Sequence, residues 1–404
     1  MTVTVERLGH LGDGIAAGPV FVPMALPGEV VAGEVVDGRI AAAKIVTPSP
    51  DRVRPVCRHF KTCGGCKLQH ASDEFVVGWK AGVVRTACEA RGISAPIREV
   101  KTSPPQSRRR AAFSARRTKK GAIVGFHARA SDAIIEIPDC KLLHPDLVAA
   151  LPFLAELTVM VASRKAEVTY HATLSENGID LAVEGARDLD VALRVALPGM
   201  AKKGGLARLT WDGELVAERL PPVQHFGDVV VVPPPGAFLQ ATEHGEAALL
   251  ASVKQAIGTP KRLLDLFSGC GTFALPLAVG AEVHAVENDA GMLAALDRGW
   301  RQAAGLKKVT TEARDLFRRP LMPDEMKGSD AIVIDPPRAG AAAQFEQIAA
   351  STVRHIAAVS CNPVTFARDA AVLVDAGFVV DWIDVIDQFR WSPHVELVAA
   401  LRRP

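Results

Sequence analysis

Cys361 stands in Ser360-Cys361-Asn362-Pro363, where a short apolar run, Ile356 to Val359, meets a helix-like stretch. A cysteine at such a junction is either a small buried hydrophobe or a thiol aimed at something. Asn362 can cap the following helix, and Pro363 suits its first turn. A thiolate beside a helix N-terminus is stabilised, which is the setting of a nucleophile. Acids and glycines occupy comparable junctions upstream. Asp265-Leu266-Phe267-Ser268-Gly269-Cys270-Gly271 closes one strand-like run, and its glycines allow the backbone to approach a ligand closely. Glu287 closes the next run, 22 residues after Asp265. A carboxylate there can accept hydrogen bonds from a ribose diol. Asp315 follows a third run and is placed to touch an adenine amino group. Asp335-Pro336-Pro337-Arg338 closes a fourth, its two prolines stopping the strand. The glycine motif is not the dinucleotide fingerprint, and no phosphate-binding lysine accompanies it. The set suits a nucleoside cofactor without phosphates, for which S-adenosylmethionine is the natural candidate. A βα turn with a capping acid would explain any one motif, but not all of them together.

A second group of residues has metal-ligand character. Cys57, Cys63 and Cys66 follow the spacing C-x5-C-x2-C, and Cys140 comes 74 residues after Cys66. Zinc sites usually show two close pairs, and iron–sulfur sites tolerate a distant fourth cysteine. Spacing alone leaves both open. Cys88 and Cys270 fit neither pattern and read as packing residues. His70, His127 and His394 have no ligand spacing.

These residues need a frame. From about residue 260 the chain alternates strand-like and helix-like runs, which predicts a doubly wound, mostly parallel sheet. Ligands bind beyond the carboxyl ends of such strands, so Asp265, Glu287, Asp335 and Cys361 should face one crevice. Residues 1–48 are short β-branched runs separated by Gly and Pro turns, which predicts an OB-like β-barrel. Phe75, Trp79, Val83 and Ala87 recur at helical spacing before Gly92. The fold class is therefore α/β in three parts: a barrel at 1–48, a mixed α+β segment with the cysteines at 49–237, and the wound sheet at 238–404. A length of 404 residues, 49% hydrophobic and 23% charged, supports packed cores rather than disorder. Net charge is only +2. Basic residues crowd between Arg98 and Lys120, either as a solvated face or as a surface for phosphates. No signal-peptide pattern opens the chain and no apolar run is long enough to span a membrane, so a soluble, cytoplasmic protein is expected. Seven cysteines in a reducing compartment favour ligation or catalysis over disulfides.

In order and spacing, "DLFSGCGTFALPLA", "AVEND", "IDPPRAG", "SCNPVTFARD" and "HVELVAAL" resemble the uracil-5-methyltransferases of RNA. The resemblance covers nearly the whole chain. It implies Cys361 as nucleophile and Glu396 as general base, with cofactor contacts at Gln240, Phe267, Glu287 and Asp335. It implies a [4Fe-4S] cluster on Cys57, Cys63, Cys66 and Cys140, and a TRAM-type N-terminal barrel. Barrel and cluster together most resemble members that methylate uridine in bacterial 23S ribosomal RNA. The alternatives are a transfer-RNA target or a non-catalytic RNA-binding protein on the same fold. Two positions depart from the pattern. Thr272 and Thr242 stand where the family usually has asparagine, keeping a hydroxyl and losing an amide. The implied chemistry adds a thiol to carbon 6 of a flipped-out uracil, which makes carbon 5 nucleophilic toward a methyl sulfonium. A monomer acting on RNA is the expected state.

Overall fold

The computed structural model describes residues 1–404. The chain first forms a five-stranded antiparallel sheet. Thr2–Leu8 pairs with Gly14–Ala16 on one side and with Val30–Ala32 on the other, and Val20–Val22 and Lys44–Thr47 are the outer strands. An isolated bridge joins Phe21 to Arg39, bringing the returning chain against the Val20–Val22 edge. The sheet encloses a small core of Val5, Val22, Val31 and Ile40.

The helix expected near residue 75 runs over Asp73–Glu89, capped by the Ser72 side chain, which accepts from the Phe75 N–H. Its buried stripe is Val76, Lys80, Val84 and Cys88, one residue on from the predicted one. Phe75 and Trp79 are half-buried against Leu8 and Leu26 of the N-terminal unit, and Val83 flanks the C-terminal core. The helix is thus wedged between two units, which broadens its apolar face.

Between them lies a seven-stranded sheet in the order Glu214–Glu218, Leu206–Trp211, Gly178–Glu184, Glu167–Ser175, Arg110–Arg117, Ala122–His127, Ile134–Glu136. All its pairings are antiparallel except Gly178–Glu184 with Leu206–Trp211. The crossover that a parallel pair requires is supplied by the helix Val191–Lys203.

The C-terminal sheet has eight strands in the order Val309–Ala313, Glu282–Glu287, Arg262–Leu266, Ala331–Ile334, His355–Ser360, Glu396–Arg402, Val379–Asp387, Ile97–Thr102. The first five run parallel, as the alternation predicted. Glu396–Arg402 departs from it. It inserts antiparallel between His355–Ser360 and Val379–Asp387, because a short loop joins it directly to the latter. Ile97–Thr102 belongs by sequence to the central segment, yet it extends this sheet, parallel to Val379–Asp387. Large cores cover both faces. No helix is long and apolar enough to cross a membrane.

The loop between the last two strands, residues 388–395, is held from within. Lys80 and Asp387 are 0% and 1% exposed and form an ion pair. The Lys80 ammonium also donates to the carbonyls of Phe389 (3.3 Å) and His394 (2.9 Å). The Lys67 and Leu68 amides, from the cysteine-bearing segment, donate to the Trp391 carbonyl. Removing one partner of a buried pair of this kind typically costs about 3–5 kcal/mol. The loop that delivers Glu396 is therefore a fixed part of the scaffold.

Candidate active site

The first parallel strand ends at Leu266, and the chain turns sharply. Phe267 has φ +62°, Gly269 +56° and Gly271 +95°. Gly271 is required twice over, since a Cβ there would lie 2.9 Å from both Leu275 and Leu296. Glu287 closes the turn from the neighbouring strand. Its Oε2 accepts from the Gly269 amide (3.1 Å), and its Oε1 accepts from the amides of Asn288 (2.7 Å) and Asp289 (2.9 Å). Asp315 caps its own turn through the Phe317 amide (2.9 Å). Phe317 is half exposed and sits 5.5 Å from the Phe267 ring, an aromatic wall beside the glycine turn. Thr272 is half-buried in the same turn.

Asp265 lies at the end of the first parallel strand, one residue before Leu266. It is fully buried, and neither carboxyl oxygen makes a well-formed hydrogen bond. Burial, with Asp335 and Glu287 close by, holds its carboxyl well above the usual range, and the Ala274 amide offsets only part. A buried, poorly partnered acid beside two further acids makes the crevice a receptor for positive charge. The ammonium and sulfonium of S-adenosylmethionine fit that donor set.

Asp335 ends the fourth strand, its amide bonded to the Leu266 carbonyl (3.2 Å). Cys361 ends the fifth. The two strand ends are tied together, since the Asn362 side-chain amide and the Thr365 hydroxyl both donate to the Arg338 carbonyl (3.0 and 3.1 Å). Asn362 Oδ1 also accepts from the Val364 amide (3.1 Å), capping Pro363–Asp375. Glu396 opens the antiparallel strand and is 4% exposed. Its Oε2 accepts from the Gln388 side-chain amide at 2.9 Å. Gln240 is buried alongside, its Oε1 accepting from the same amide at 2.6 Å. Thr242 is consumed structurally. Its hydroxyl caps the helix Glu243–Ile257 and meets the Ser103 hydroxyl at 2.8 Å.

The thiol differs from what its position at a helix start implied. Burial, then the nearby Glu396 and Asp335 carboxyls, push Cys361 up to about 11, and Arg338 offsets only part. A helix N-terminus returns about 0.3–1 kcal/mol. Burial together with the two acids outweighs it, and the resting group is a thiol. The acids shift as well. Burial raises Asp335 to about 7, and burial followed by Asp335 raises Glu396 to about 8.

Cys57, Cys63, Cys66 and Cys140 are brought into one region: Cys63 is raised in part by Cys140 and Cys57, Cys66 by the other three, and Cys140 by Cys57. Burial is the largest influence and pushes Cys66 up to about 12. Arg129 anchors the segment by donating to the Phe60 and Cys66 carbonyls. Arg108 and Arg129 stand close enough to be felt by the thiols. No three His, Cys, Asp or Glu side chains form the tight shell of a single metal ion. Cys88 and Cys270 lie in the two cores of the C-terminal sheet.

The basic segment is not one free face. Arg98 pairs with Asp384, and Arg116 with Glu167. Arg109, 4% exposed, pairs with Glu246 and donates to the Gln240 carbonyl. Arg110 donates to the Leu239 carbonyl. Arg117, Lys119 and Lys120 remain exposed. Beside the site, a cavity of about 290 Å³ is lined by Arg108, Arg110, Phe238, Leu239 and Phe389. The Arg110 guanidinium lies 4.9 Å over the Phe238 ring.

A wound sheet with an acid–glycine turn, an Asp-Pro-Pro loop and an inserted antiparallel strand defines the S-adenosylmethionine-dependent methyltransferase class. The family model described as tRNA (Uracil-5-)-methyltransferase matches residues 302–403. An uncharacterized RNA methyltransferase of Brucella suis is 45% identical over 404 residues, covering 99% of this chain and 97% of that one. The 23S rRNA (uracil(1939)-C(5))-methyltransferase RlmD of Halomonas elongata is 32% identical over 438 residues, covering 100% of this chain and 89% of that one. The crystal structure of Pyrococcus abyssi tRNA (uracil-54, C5)-methyltransferase in complex with S-adenosyl-L-homocysteine has the same fold. Its TM-score is 0.78 at 22% identity, with 99% of each chain covered. The chain belongs to the family of S-adenosylmethionine-dependent RNA (uracil-5-)-methyltransferases.

The electrostatics of the thiol can be read directly. Alkylation of Cys361, followed by peptide mass spectrometry across pH, should show it titrating well above an ordinary thiol. Glu396→Gln removes a neighbouring negative charge, so the titration should move down and alkylation near pH 8 should quicken. A Cys361 thiol that titrates at or below the ordinary value would show that the helix N-terminus prevails.

Proposed function

We propose that the protein methylates carbon 5 of a uridine in 23S ribosomal RNA through a covalent bond between Cys361 and carbon 6 of the base. The convergence of Cys361, Glu396 and Asp335, with the thiol sensing both acids, carries this reading. Bound S-adenosylmethionine supplies an electrophilic methyl group. Gln240, Phe267, Thr272, Glu287, Asp315 and Asp335 are the groups that would hold it, around the buried carboxyl of Asp265. The remaining steps belong to the chain. As Cys361 sulfur adds to carbon 6, its proton passes to the acid pair, and the carbonyl holds the displaced electrons as an enolate. The enolate then takes the methyl group at carbon 5, and the methyl–sulfonium bond would break with its electron pair retained by the cofactor sulfur as the neutral thioether. Glu396, deprotonated again by exchange with solvent, takes the carbon-5 proton, and the sulfur leaves with its bonding pair and recovers a proton. One proton reaches solvent per turnover. Asp335 holds the uracil edge.

The choice of 23S rather than transfer RNA is supported by the Halomonas relative. The N-terminal sheet, over residues 1–48, is read as a TRAM-like barrel gripping RNA. Arg117, Lys119, Lys120 and the Arg108–Phe238 cavity are read as further contacts, where guanidinium planes and aromatic rings suit unstacked bases. The enzyme acts as a monomer in the cytoplasm. The four cysteines are read as the ligands of a [4Fe-4S] cluster, with Arg108 and Arg129 near the thiols to balance its negative charge.

Two substitutions separate the chemical roles. Cys361→Ala should abolish both methylation and any protein–RNA adduct. Glu396→Gln should add and methylate, then stall as a complex that survives denaturing electrophoresis and carries label from S-adenosylmethionine. Methylation by Cys361→Ala, or normal turnover by Glu396→Gln, would remove the corresponding role. For the cluster, anaerobically purified protein should be brown and contain iron and acid-labile sulfide. Stoichiometric zinc without sulfide would overturn that assignment.

A further inference from the structure

Gln388 has no place in the chemistry described so far, yet it touches two of the groups used there. It is 1% exposed and makes three side-chain hydrogen bonds. Its Oε1 accepts from the Ala241 backbone amide at 2.7 Å. Its Nε2 donates to Gln240 Oε1 at 2.6 Å and to Glu396 Oε2 at 2.9 Å. Packing leaves it little freedom, since a Cβ on Gly245 would approach the Gln388 Cβ to 2.6 Å.

The backbone amide decides the direction of every bond in this set. An N–H can only donate, so the Gln388 atom facing Ala241 must be the oxygen. The other end of the amide is then the NH2, and it must face acceptors. Gln240 is thereby forced to present its oxygen to Gln388, which turns its own NH2 the other way. That NH2 donates to no protein group. Glu396 is forced to keep Oε2 as an acceptor, so Oε1 is the oxygen left to take or carry a proton. A single buried amide thus sets the polarity of two neighbouring side chains.

We infer that Gln388 is a positioning residue that assigns Glu396 Oε1 as the proton-accepting oxygen and leaves the Gln240 NH2 as the end free to donate to the cofactor. This rests on the proposed uracil chemistry and adds to it the group that orients the proton acceptor. Gln388 acts only through Glu396 and Gln240. Its position is secured by the Lys80–Asp387 pair at the preceding residue.

The groups facing Glu396 come from several elements. Asp335 lies at the end of Ala331–Ile334 and Cys361 at the end of His355–Ser360, with Arg338 beside the thiol. Asp335 disfavours the charged form of Glu396, whereas the Gln388 amide favours it by donating to the carboxylate. Gln388→Met keeps similar volume and removes all three bonds. Glu396 then titrates higher, and the pH at which proton removal from carbon 5 becomes efficient should rise by roughly one unit, the effect of one charge-assisted hydrogen bond.

The test uses full-length protein, labelled S-adenosylmethionine and the RNA that the unaltered protein methylates. Gln388→Met should bind S-adenosylmethionine, form the methylated adduct in a single turnover, and release it slowly. The pH midpoint of release should lie above that of the unaltered protein, and the KM for S-adenosylmethionine should rise as the Gln240 NH2 loses its orientation. Gln388→Asn keeps an amide on a shorter stem that cannot span all three partners, and it carries the same test if the methionine variant does not fold. An unchanged release midpoint, with any loss of rate explained by a smaller active fraction, would overturn the inference. If the unaltered protein methylates without forming an adduct, the uracil chemistry fails first, and that result is distinct from an unshifted midpoint.

Discussion

Asp335, Glu396 and the Cys361 thiol share one buried crevice, and they cannot all be charged. Burial raises both acids, Asp335 raises Glu396 further, both raise the thiol, and Asp265 adds a further buried carboxyl on the cofactor side. Most of the surrounding structure either sustains this congestion or relieves it. Protonation relieves it in the free protein, with the thiol and Asp265 neutral and Asp335 and Glu396 titrating near neutrality. A positively charged cofactor would relieve it further, because it brings charge of the sign that the acids lack. Cofactor binding is then coupled to the ionisation of the residues that perform the chemistry.

Holding such groups together needs a stiff frame, because relaxation by a few tenths of an ångström would let them separate or admit water. Asn362 and Thr365 pin the Cys361 turn to the Arg338 loop. Lys80 fills the loop that leads into Glu396 with a buried ammonium bonded to Asp387, Phe389 and His394. Arg109 reaches from the central sheet to Glu246 and the Gln240 carbonyl. Lys80 and Arg109 come from the segment before residue 120, so the catalytic crevice is completed by chain that precedes the first parallel strand, Arg262–Leu266, by more than a hundred residues. The cysteine-bearing segment reaches the same loop through Trp391, which gives it a direct mechanical connection to the site.

Much of this frame is legible in the residues themselves. Alternating runs after residue 260 specify parallel strands, and acids or a cysteine at their ends specify a common crevice. Local patterns carry that information because strand, turn and cap preferences are local. What is not legible depends on partners distant in sequence. Ile97–Thr102 is short and charged, and nothing in it indicates that it will join the C-terminal sheet. The stripe at Phe75, Trp79, Val83 and Ala87 is displaced because two units compress the helix from different sides. A run of arginines looks like a phosphate surface until Arg98 and Arg109 find Asp384 and Glu246. Local reasoning about Cys361 sees the helix start and misses Glu396 and Asp335, which reverse its conclusion. Gln388 and Lys80 belong to no motif, and only the folded chain shows what they hold.

The claim on which all of this turns is that Cys361 bonds to the base and Glu396 later removes the carbon-5 proton. RNA carrying 5-fluorouridine tests it most directly, because fluorine in place of that proton leaves Glu396 nothing to remove. Incubated with S-adenosylmethionine, the protein should become covalently attached to the RNA. Mass spectrometry should find the Cys361 peptide bearing a methylated fluoropyrimidine nucleotide. Absence of any adduct, from a preparation that fully methylates the corresponding uridine RNA, would contradict covalent catalysis by Cys361.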